Sequence, residues 1–498
     1  STPKPSSAAS DVYKRQGLFM SYAGRRIGKA ALSLCVTTAL TVGVGCGVAS
    51  ATSFDAAAQP IDLGQTQVGM TIEQSQYIAR QLKPVPLKVT LKKGPRRPIP
   101  EWAKSSIKPN PFFDNDAWRY VRKGYKPGQV MRQRKARWVK GYFPIAARGV
   151  QYAYVSYDSR GYPMTATATL VIPHHLKPNA SVMEYNQFIN SSGPNCSVTT
   201  QMNQLFSWGM MTSTIQMVGA ALALGYPVLL PDGDGANNIY AINRVASHVI
   251  LDSMRMVHEQ HDFPLAKSHF VSLGASHGGM MTGYTAAEQP YYAPDLTAYV
   301  NQFVVNEGAP DLIKLAHSFG LYGELQNAPS VYGSFLMSFV VGAAREYPDL
   351  LPHLYQWFTP YGKAVVKGNR SICTPLTFAV GPGVPIKNIV KEGFFASQTF
   401  KNMLQIAKYS SSFYYPGTPK VPTLLIHGTL DEILFQADQD KALWQRYCKA
   451  GSNVVYEQVP GTGHFITPAV SFPRMVIQSV KSLEGNHQTP NCSNPVIL

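Results

Sequence analysis

An alternation of helical stretches and apolar runs, which begins near residue 213, constrains the fold more than any other feature. The stretch "STIQMVGAALALG" leads to "YPVLLPD", and the longer stretch "YAINRVASHVILDSMRMVHEQ" leads to "SHFVSLG". Another helical stretch and the run "AYVNQFVVNEG" follow. Strands that alternate with helices predict βαβ units. We therefore predict the α/β class, with a mostly parallel central sheet and helices on both faces.

Three β-rich runs precede this alternation from Gly149 onward: "VQYAYVSYD", "MTATATLVIP" and "SVMEYNQF". Glycine and proline separate them, so we expect strands that pair near one edge of the sheet. Residues 52–140 are rich in proline and lysine and look irregular. We interpret residues 52–140 as a basic N-terminal arm and residues 141–309 as the first part of the core.

The alternation breaks after Gly308, and the next convincing strand, "PTLLIHG", starts only at Pro422. A crossover between parallel strands rarely needs more than a few tens of residues, so the intervening chain should form a unit of its own. We predict a helical cap, or lid, over residues 310–420. The second part of the core then occupies residues 421–498, where "QADQDKALWQRYCKAG", "NVVYEQVP" and "PRMVIQSVKSLEG" predict helix, strand and helix.

The first part of the chain, residues 1–51, has the pattern of a leader. Residues before Met20 resemble adaptor translation, and basic residues, an apolar stretch and small residues up to Ala51 follow. This order predicts a signal peptide that is cleaved after Ala51, and hence an exported protein, extracellular or periplasmic. A twin-arginine signal and a lipoprotein anchor at Cys46 are less favoured alternatives. No later segment is long and apolar enough to predict a stable transmembrane span.

Positive charge is concentrated between Arg80 and Lys140, in a chain with a formal net charge of +17. Stretches such as "KKGPRR" and "RQRKARWVK" alternate with aromatic residues, which is one property of nucleic-acid-binding surfaces. No nucleic-acid-binding module accompanies this charge. We therefore predict a solvated basic arm and no nucleic-acid partner.

The sequence Gly274-Ala275-Ser276-His277-Gly278 lies between a predicted strand and a predicted helix. Gly-x-Ser-x-Gly is a weak pattern by itself, and an ordinary turn could contain it. In this context, however, a sharp turn lifts a serine hydroxyl out of the sheet, and the small residues allow the turn to close. Packing alone needs glycine or alanine here and does not need serine at the apex. We predict that Ser276 is a nucleophile.

A serine nucleophile needs a base, and the base needs an acid that orients it. In folds of this type the acid and the base follow later strands, in the chain order serine, acid, histidine. Asp431 follows the strand in "LLIHGTLDEIL", and His464 follows the strand in "EQVPGTGHF". Glu432 is a rival acid, and Asp431 could instead cap the next helix. Order and placement at the carboxyl ends of strands favour Ser276, Asp431 and His464 as a catalytic triad.

A tetrahedral intermediate also needs hydrogen-bond donors for its oxyanion. The backbone N–H of His277 follows the nucleophile directly and is the first candidate. We expect the second donor in the loop after "SVMEYNQF" and choose Asn190. The alternative is that Asn190 only ends the strand with a local turn.

Four cysteines remain after removal of the leader: Cys196, Cys373, Cys448 and Cys492. Since none forms a Cys-x-x-Cys pair and an exported protein meets an oxidising environment, two disulfides are favoured over a metal site. The residues alone leave three connectivities open.

Two motifs that suggest metal binding do not have the required spacing. The histidines of "HEQH", His258 and His261, are three positions apart, whereas a metalloprotease helix needs them four apart. "DGDGANN" from Asp232 resembles a calcium loop but has Ala236 at a ligand position and lacks the final glutamate. We predict no metal and no cofactor.

Several segments together resemble the secretory lipase family, which includes lipases of the lipase A type. They are "PFFDNDAW", "YNQFINSSGPNC", "GYPVLLPDGDG", the Ser276 turn, "HGTLDEILFQ", "YCKAGSNV" and "GTGHF". The resemblance covers most of the mature chain. It implies an α/β-hydrolase fold with a helical cap, and cofactor-free hydrolysis of lipid-like esters, including esters at a lipid–water interface. It also implies the pairs Cys196–Cys373 and Cys448–Cys492. The "GDG" turn and His277 depart from the family pattern.

The resulting prediction is a secreted serine hydrolase of carboxylic esters, a lipase that acts on acylglycerols or other lipid-like esters through an acyl-enzyme. The alternatives are an esterase for bulky aryl or polyester substrates and an acyltransferase with the same triad. A serine peptidase is less favoured, because such enzymes usually have a much larger accessory domain. A non-catalytic binding protein would normally have lost a member of the triad.

Overall fold

A computed structural model describes most of the chain beyond the predicted leader, which itself lies outside the described residues. The described residues are 72–108, 110–188, 192–205, 207, 214–321, 332–373, 385–434, 436–486 and 488–498.

A ten-stranded sheet forms the centre of the described structure. Its strands are β1 (Val130–Lys135), β2 (Ala146–Tyr157), β3 (Pro163–Pro173), β4 (Val182–Asn186), β5 (Val228–Pro231), β6 (Phe270–Ala275), β7 (Val300–Asn306), β8 (Thr423–Gly428), β9 (Val454–Val459) and β10 (Val496–Ile497). Their order in the sheet is β1-β2-β3-β5-β4-β6-β7-β8-β9-β10. The first three neighbouring pairs are antiparallel and all the others are parallel. The predicted α/β class is confirmed.

Thirteen α-helices lie within the described residues. They are α1 (Ile72–Gln81), α2 (Ala117–Arg122), α3 (Val139–Tyr142), α4 (Val198–Gln201), α5 (Ile215–Ala223), α6 (Asn243–Glu259), α7 (His277–Tyr292), α8 (Leu312–Ser318), α9 (Gly333–Glu346), α10 (Pro360–Asn369), α11 (Gln398–Ser410), α12 (Ala437–Lys449) and α13 (Ile466–Leu483). Among them, none combines the length and the apolar character that a bilayer span requires.

Alternate residues of each central strand face opposite sides of the sheet, as the pleat requires. On β5, Val228 and Leu230 pack with α5 in one apolar cluster, whereas Leu229 packs with α6 in another. Both faces are therefore covered by helices, which explains why the central strands read as continuous apolar runs.

The parallel part of the sheet brings several strand ends to one edge. β6, β7, β8 and β9 are consecutive neighbours and run in the same direction. Their carboxyl ends therefore lie side by side at the edge where α/β folds collect their functional residues.

The predicted insertion over residues 310–420 contains α8 to α11 and no strand within its described residues. Its buried apolar side chains, such as Met337 on α9 and Met403 on α11, belong to the same cluster as Val249 of the core helix α6. The insertion therefore packs continuously on one side of the core.

The prediction of an irregular arm over residues 52–140 is wrong for its described part, because this part contains α1, α2 and the edge strand β1, which pairs with β2 with a register shift near its start. The Arg134 guanidinium on β1 lies 4.0 Å from the centre of the Phe112 ring and donates a hydrogen bond to Gln151 on β2. These contacts place basic side chains in a strand, where charge alone had suggested a solvated segment.

The described start of the arm is tied to both the insertion and the core. The Lys408 ammonium on α11 donates to the carbonyls of Ala79 and Leu82 at 2.7 and 2.9 Å. The Arg244 guanidinium on α6 donates to the carbonyl of Pro86 at 2.5 Å. The positively charged side chains of Lys408 and Arg244 therefore bind backbone carbonyls of the arm.

Candidate active site

Ser276 occupies the turn between β6 and α7. Its backbone has φ 55° and ψ −121°, a conformation that residues with a side chain rarely adopt. Its N–H donates to the carbonyl of Asn306 at the end of β7, at 3.0 Å. Strain of this kind is typical of a serine that a sharp strand-to-helix turn presents at the edge of a sheet.

Two glycines allow this turn to pack closely. A Cβ on Gly274 would collide with the carbonyl of Gly278, and a Cβ on Gly278 would collide with the carbonyl of Asn186 on β4. These collisions involve backbone atoms, which cannot rotate away as a flexible side chain could. The pattern Gly-x-Ser-x-Gly therefore has a steric cause in this chain.

The structure brings Ser276, His464 and Asp431 together from three strand ends at the same edge of the sheet. His464 Nε2 lies 2.8 Å from Ser276 Oγ, and His464 Nδ1 lies 3.0 Å from Asp431 Oδ2. Because an ionised carboxylate can only accept, Nδ1–H donates to Asp431 and Nε2 is left to accept from the serine hydroxyl. The exposed fractions of Ser276, His464 and Asp431 are only 7%, 2% and 6%, respectively. The arrangement can move a proton from Ser276 to His464.

The Asp431 carboxylate is held on both of its oxygens. Oδ1 accepts from the backbone N–H groups of Ile433 and Leu434 at 2.9 and 2.8 Å. Burial would raise the pKa of Asp431, but hydrogen bonds from His427 and His464 hold that pKa well below its usual range. Asp431 therefore stays ionised at all ordinary pH values.

The rival acid Glu432 contacts the same histidine in a different way. Its Oε2 accepts from the backbone N–H of His464 at 2.9 Å, not from the ring. Glu432 thus fixes the main chain of the loop that carries His464, whereas Asp431 faces the imidazole.

A second histidine, which the sequence analysis missed, lies behind Asp431. His427 is buried at the end of β8, and its ring contacts the carboxyl groups of Asp431, Glu307 and Asp440. Glu307 follows β7 with a positive φ of 47°, and its Oε2 lies 3.2 Å from His427 Nε2. The only signal in the sequence is a histidine inside the apolar run "PTLLIHG", since a buried histidine in a central strand needs polar partners.

His277 is fully buried beside the nucleophile. Its ring centre lies 4.4 Å from that of Tyr240, and its Nε2 lies 3.6 Å from Asp234. Burial lowers the pKa of His277 to about 3, so the ring is neutral. Its backbone N–H, the first candidate oxyanion donor, donates to the carbonyl of Phe188 at 3.1 Å. The second candidate, Asn190, lies outside the described residues.

The four cysteines beyond the predicted leader form two disulfides, Cys196–Cys373 and Cys448–Cys492. The first links the segment after β4 to the segment after α10 in the insertion. The second links the last turn of α12 to the C-terminal tail that contains β10. The structure therefore contains the pairing that the family resemblance implies.

One group of residues in the described chain could offer three ligand atoms to a metal ion: Glu307, Asp431 and His464, whose atoms lie within 4.8 Å of one another. These groups also contact other parts of the site, because Asp431 and His464 bond to each other and Glu307 accepts from the N–H of Gly428 at 2.8 Å. Carboxyl and imidazole groups at these distances are suited to holding and moving protons.

Neither rejected metal motif is arranged as a ligand set. His258 Nε2 faces the carbonyl of Ser268 at 2.9 Å, while α6 ends at Glu259, before His261. The carboxyl of Asp232 accepts from the N–H of Thr199 at 3.0 Å, in a buried turn after β5.

Comparison with known proteins identifies related sequences. The family described as secretory lipase matches residues 202–487. Lipase 2 of Candida albicans is 26% identical over 392 residues, which cover 75% of this chain and 81% of that protein. The secreted triacylglycerol lipase LIP3 of Malassezia restricta is 24% identical over 388 residues, covering 74% and 78% of the two chains.

Solved structures share the architecture. Candida antarctica lipase A in its closed state has a TM-score of 0.69 at 17% identity, covering 78% of this chain and 89% of that chain. The rice cell wall degrading esterase LipA from Xanthomonas oryzae, in a ligand-bound form, has a TM-score of 0.53 at 15% identity, covering 73% and 98%. These likenesses concern the fold, which is that of the α/β hydrolases.

Proposed function

The chain belongs to the secretory lipase family and hydrolyses carboxylic esters, and from this premise we propose that it is a secreted serine lipase with Ser276 as its nucleophile. The observation that carries the proposal is the contact of His464 with Ser276 Oγ at 2.8 Å and with Asp431 at 3.0 Å. A hydroxyl, an imidazole and a carboxylate in this order are the parts that acyl transfer through a serine requires.

The proposed reaction proceeds in two halves. Ser276 Oγ attacks the ester carbonyl carbon while His464 Nε2 takes the hydroxyl proton, and a tetrahedral intermediate forms. The bond to the alcohol oxygen then breaks as His464 gives its proton to that oxygen, which leaves the acyl group on Ser276. A water molecule, deprotonated by the same nitrogen, then attacks the acyl carbon. The bond from that carbon to Ser276 Oγ breaks as His464 returns the proton to Oγ, which releases the carboxylic acid and restores Ser276.

Asp431 orients His464 and stabilises its positive charge during both halves. Its low pKa keeps the carboxylate ionised, so that Nδ1–H always has an acceptor. We assign the orienting role to Asp431 in preference to Glu432, because only Asp431 contacts the imidazole.

The oxyanion donors are proposed to be the N–H of His277 and the side chain of Asn190. Because the N–H of His277 donates to the carbonyl of Phe188, it has to exchange that acceptor for the oxyanion when substrate binds. We expect Asn190→Ala to lower kcat by about 10²–10³ with little change in KM, the usual effect of losing one donor. Near-wild-type kcat in a folded variant would exclude the side chain as a donor.

Lipid-like esters are the proposed substrates, and the surface next to the triad supports this choice. Leu430 and Phe465 directly adjoin Asp431 and His464 in sequence and are 64% and 53% exposed. Ile466 and Val470, on the first turns of α13, are each 56% exposed. Exposed apolar side chains that adjoin the triad residues in sequence favour acyl chains over peptides or charged substrates.

Secretion and the domain organisation are part of the proposal. The signal-like leader of residues 1–51, the two disulfides and the description of a relative as secreted support export. We further propose that residues 141–309 and 421–498 form the hydrolase core and that residues 310–420 form a cap over its active edge.

Hydrolysis assays test the proposal. The protein should cleave nitrophenyl esters of medium and long acyl chains and triacylglycerol emulsions, but not peptide anilides. Ser276→Ala and His464→Ala should each lower kcat by about 10⁴–10⁶. The matched control is Ser272→Ala, which replaces a buried serine on β6 and should leave kcat close to that of the wild type. A folded Ser276→Ala protein that keeps most of its activity would exclude the proposed nucleophile.

A further inference from the structure

His427 lies at the second-last position of β8, in the middle of the parallel part of the sheet, and its exposed fraction is 0%. Carboxyl groups from three different elements face its ring: Glu307 after β7, Asp431 in the loop after β8 and Asp440 on α12. A buried imidazole that contacts three carboxyl groups affects the charge and the orientation of those groups.

The contacts involve both ring nitrogens. Nδ1 lies 2.5 Å from Asp440 Oδ2, within hydrogen-bond distance. Nε2 lies 3.2 Å from both Asp431 Oδ2 and Glu307 Oε2, within ion-pair distance of two oxygens although it forms no well-aligned hydrogen bond with either. Asp431 Oδ2 is the same atom that accepts from His464.

These contacts determine the protonation of the ring. A neutral imidazole has one N–H, and its other nitrogen would then place a lone pair against a carboxylate oxygen. Burial lowers the pKa of His427, but the contacts with Asp431 and Asp440 and the negative charge of Asp440 raise that pKa well above its usual value. His427 is therefore an imidazolium, with Nδ1 donating to Asp440 and Nε2 facing the oxygens of Asp431 and Glu307.

The positive charge balances the buried acids. In the described part of the chain, no lysine or arginine forms an ion pair with Glu307, Asp431 or Asp440. Burial raises the pKa of Glu307 to about 9, so this group keeps its proton near neutral pH. Uncompensated buried carboxylates are strongly destabilising, and one imidazolium between two carboxylates leaves a single negative charge for His464.

The other titratable groups near the ring are accounted for. From β9, the Tyr456 hydroxyl donates to the carbonyl of Ala437 at 3.0 Å and remains uncharged, since burial raises its pKa. From the segment before α13, His464 approaches only through the shared oxygen of Asp431. On α12, Asp438 pairs with Lys314 at 2.6 Å.

We propose that His427 is a positioning residue for ester hydrolysis, which holds the Asp431 carboxylate in the plane of His464 and sets the net charge behind the triad. This inference rests on the proposed function of Ser276, Asp431 and His464. It predicts two separate effects of removing the ring. Asp431 loses a fixed orientation, and His464 loses a nearby positive charge.

The test is His427→Gln, with activity on a soluble nitrophenyl ester measured across pH. Misorientation of Asp431 should lower kcat by about 10- to 100-fold while KM changes less than about twofold. Loss of the cation leaves the negative charges of Asp431 and Asp440 uncompensated behind the triad, so the acid limb of kcat/KM should move to higher pH by about one unit. A merely structural role would lower stability without moving the limb.

His248→Gln is the matched control. His248 is also fully buried and lies 3.6 Å from a carboxylate, that of Glu288, but it belongs to α6 and contacts the carbonyl of Tyr157. The His248→Gln substitution should destabilise the protein without changing the acid limb of kcat/KM. An unmoved limb in a folded His427→Gln protein, or an equal shift in His248→Gln, would overturn the inference.

A double variant covers the case in which His427→Gln does not fold. His427→Gln combined with Asp440→Asn removes a cation and an anion together, so the acid limb should return to within about 0.3 unit of wild type while kcat stays low. In wild-type protein with ¹⁵N-labelled histidine, both ring nitrogens of His427 should remain protonated at pH 8. A neutral ring would overturn the inference.

Labelling separates this inference from the proposed function. If an organophosphonate fails to modify Ser276 in the wild-type protein, the triad and the inference both fall. If Ser276 is modified normally and the acid limb of His427→Gln does not move, only the role of His427 is contradicted.

Discussion

Strain at the nucleophile leads to a prediction about stability, in which Ser276→Gly should be more stable than Ser276→Ala. Both substitutions remove the hydroxyl, but only glycine adopts φ 55° and ψ −121° without strain. A non-glycine residue held in such a region costs about 1–3 kcal/mol. Glycine loses about 0.5–1 kcal/mol more than alanine in conformational entropy on folding. The difference should therefore favour the glycine variant by about 1 kcal/mol.

Urea unfolding of the two variants, followed by fluorescence, measures this difference as a shift in midpoint. The matched comparison is Ser272→Gly with Ser272→Ala, because Ser272 is buried on the regular strand β6, in the same segment as Ser276. There glycine should be the less stable variant by about 0.5–1 kcal/mol. The sign of the difference must therefore reverse between the two positions. If glycine is also the less stable variant at Ser276, the turn is not strained and the reasoning is refuted.

Three further predictions concern stability. Burial raises the pKa of Glu184 from its ordinary value of 4.5 to about 8, so the folded chain keeps a proton that the unfolded chain releases, and stability falls as pH rises between these values. Glu184→Gln should therefore flatten the decline in melting temperature from pH 5 to pH 8, and an unchanged slope would contradict the assignment. Gly342→Ala on α9 should lower the urea midpoint, because its Cβ would lie 2.6 Å from a backbone oxygen. The Cβ of Gly219→Ala on α5 would meet nothing within 4 Å, so this variant should be stabilised by about 0.5–1 kcal/mol, and equal effects of the two substitutions would refute the steric argument. Replacing Cys448 and Cys492 together by serine opens a loop with a sequence separation of 44 and should lower the free energy of unfolding by about 4 kcal/mol. A urea midpoint within error of wild type would show that this disulfide does not stabilise the fold.

The sequence predicted the central strands and their helices because those segments have clear periodicity and lie between turn residues. It did not predict β1, because the basic residues of "VMRQRK" indicate a solvated segment. Pairing with β2 and the contact of Arg134 with the Phe112 ring hold this segment as a strand. β10 has two residues and depends on pairing with β9. β1 has no apolar pattern that could indicate a strand, and β10 is too short to show one.

The last helix was predicted over "PRMVIQSVKSLEG", which begins at Pro473. In the structure α13 begins earlier, at Ile466, and Pro473 lies inside it. Proline is favoured in the first turn of a helix, so its position in the sequence suggests a helix start. A proline further along removes one backbone hydrogen bond but does not always end the helix.

The three residues of the candidate triad were predictable because each follows a strand in the expected chain order. The residues behind them were not, because no spacing in the sequence connects Glu307, His427 and Asp440. Glu307 reaches the site from the turn after β7, where its backbone has a positive φ, and Asp440 reaches it from α12, which packs against the sheet. Contacts of this kind depend on tertiary structure, which periodicity and motifs do not contain.

Titration with a nitrophenyl alkylphosphonate, followed by peptide mapping, tests the central claim most directly. The account predicts release of one equivalent of nitrophenolate per chain, a phosphonate adduct on Ser276 and a parallel loss of esterase activity. Ser276→Ala should release none above background, and His464→Ala should react far more slowly because the serine lacks its base. An adduct on a different serine, or full esterase activity after stoichiometric modification of Ser276, would contradict the account.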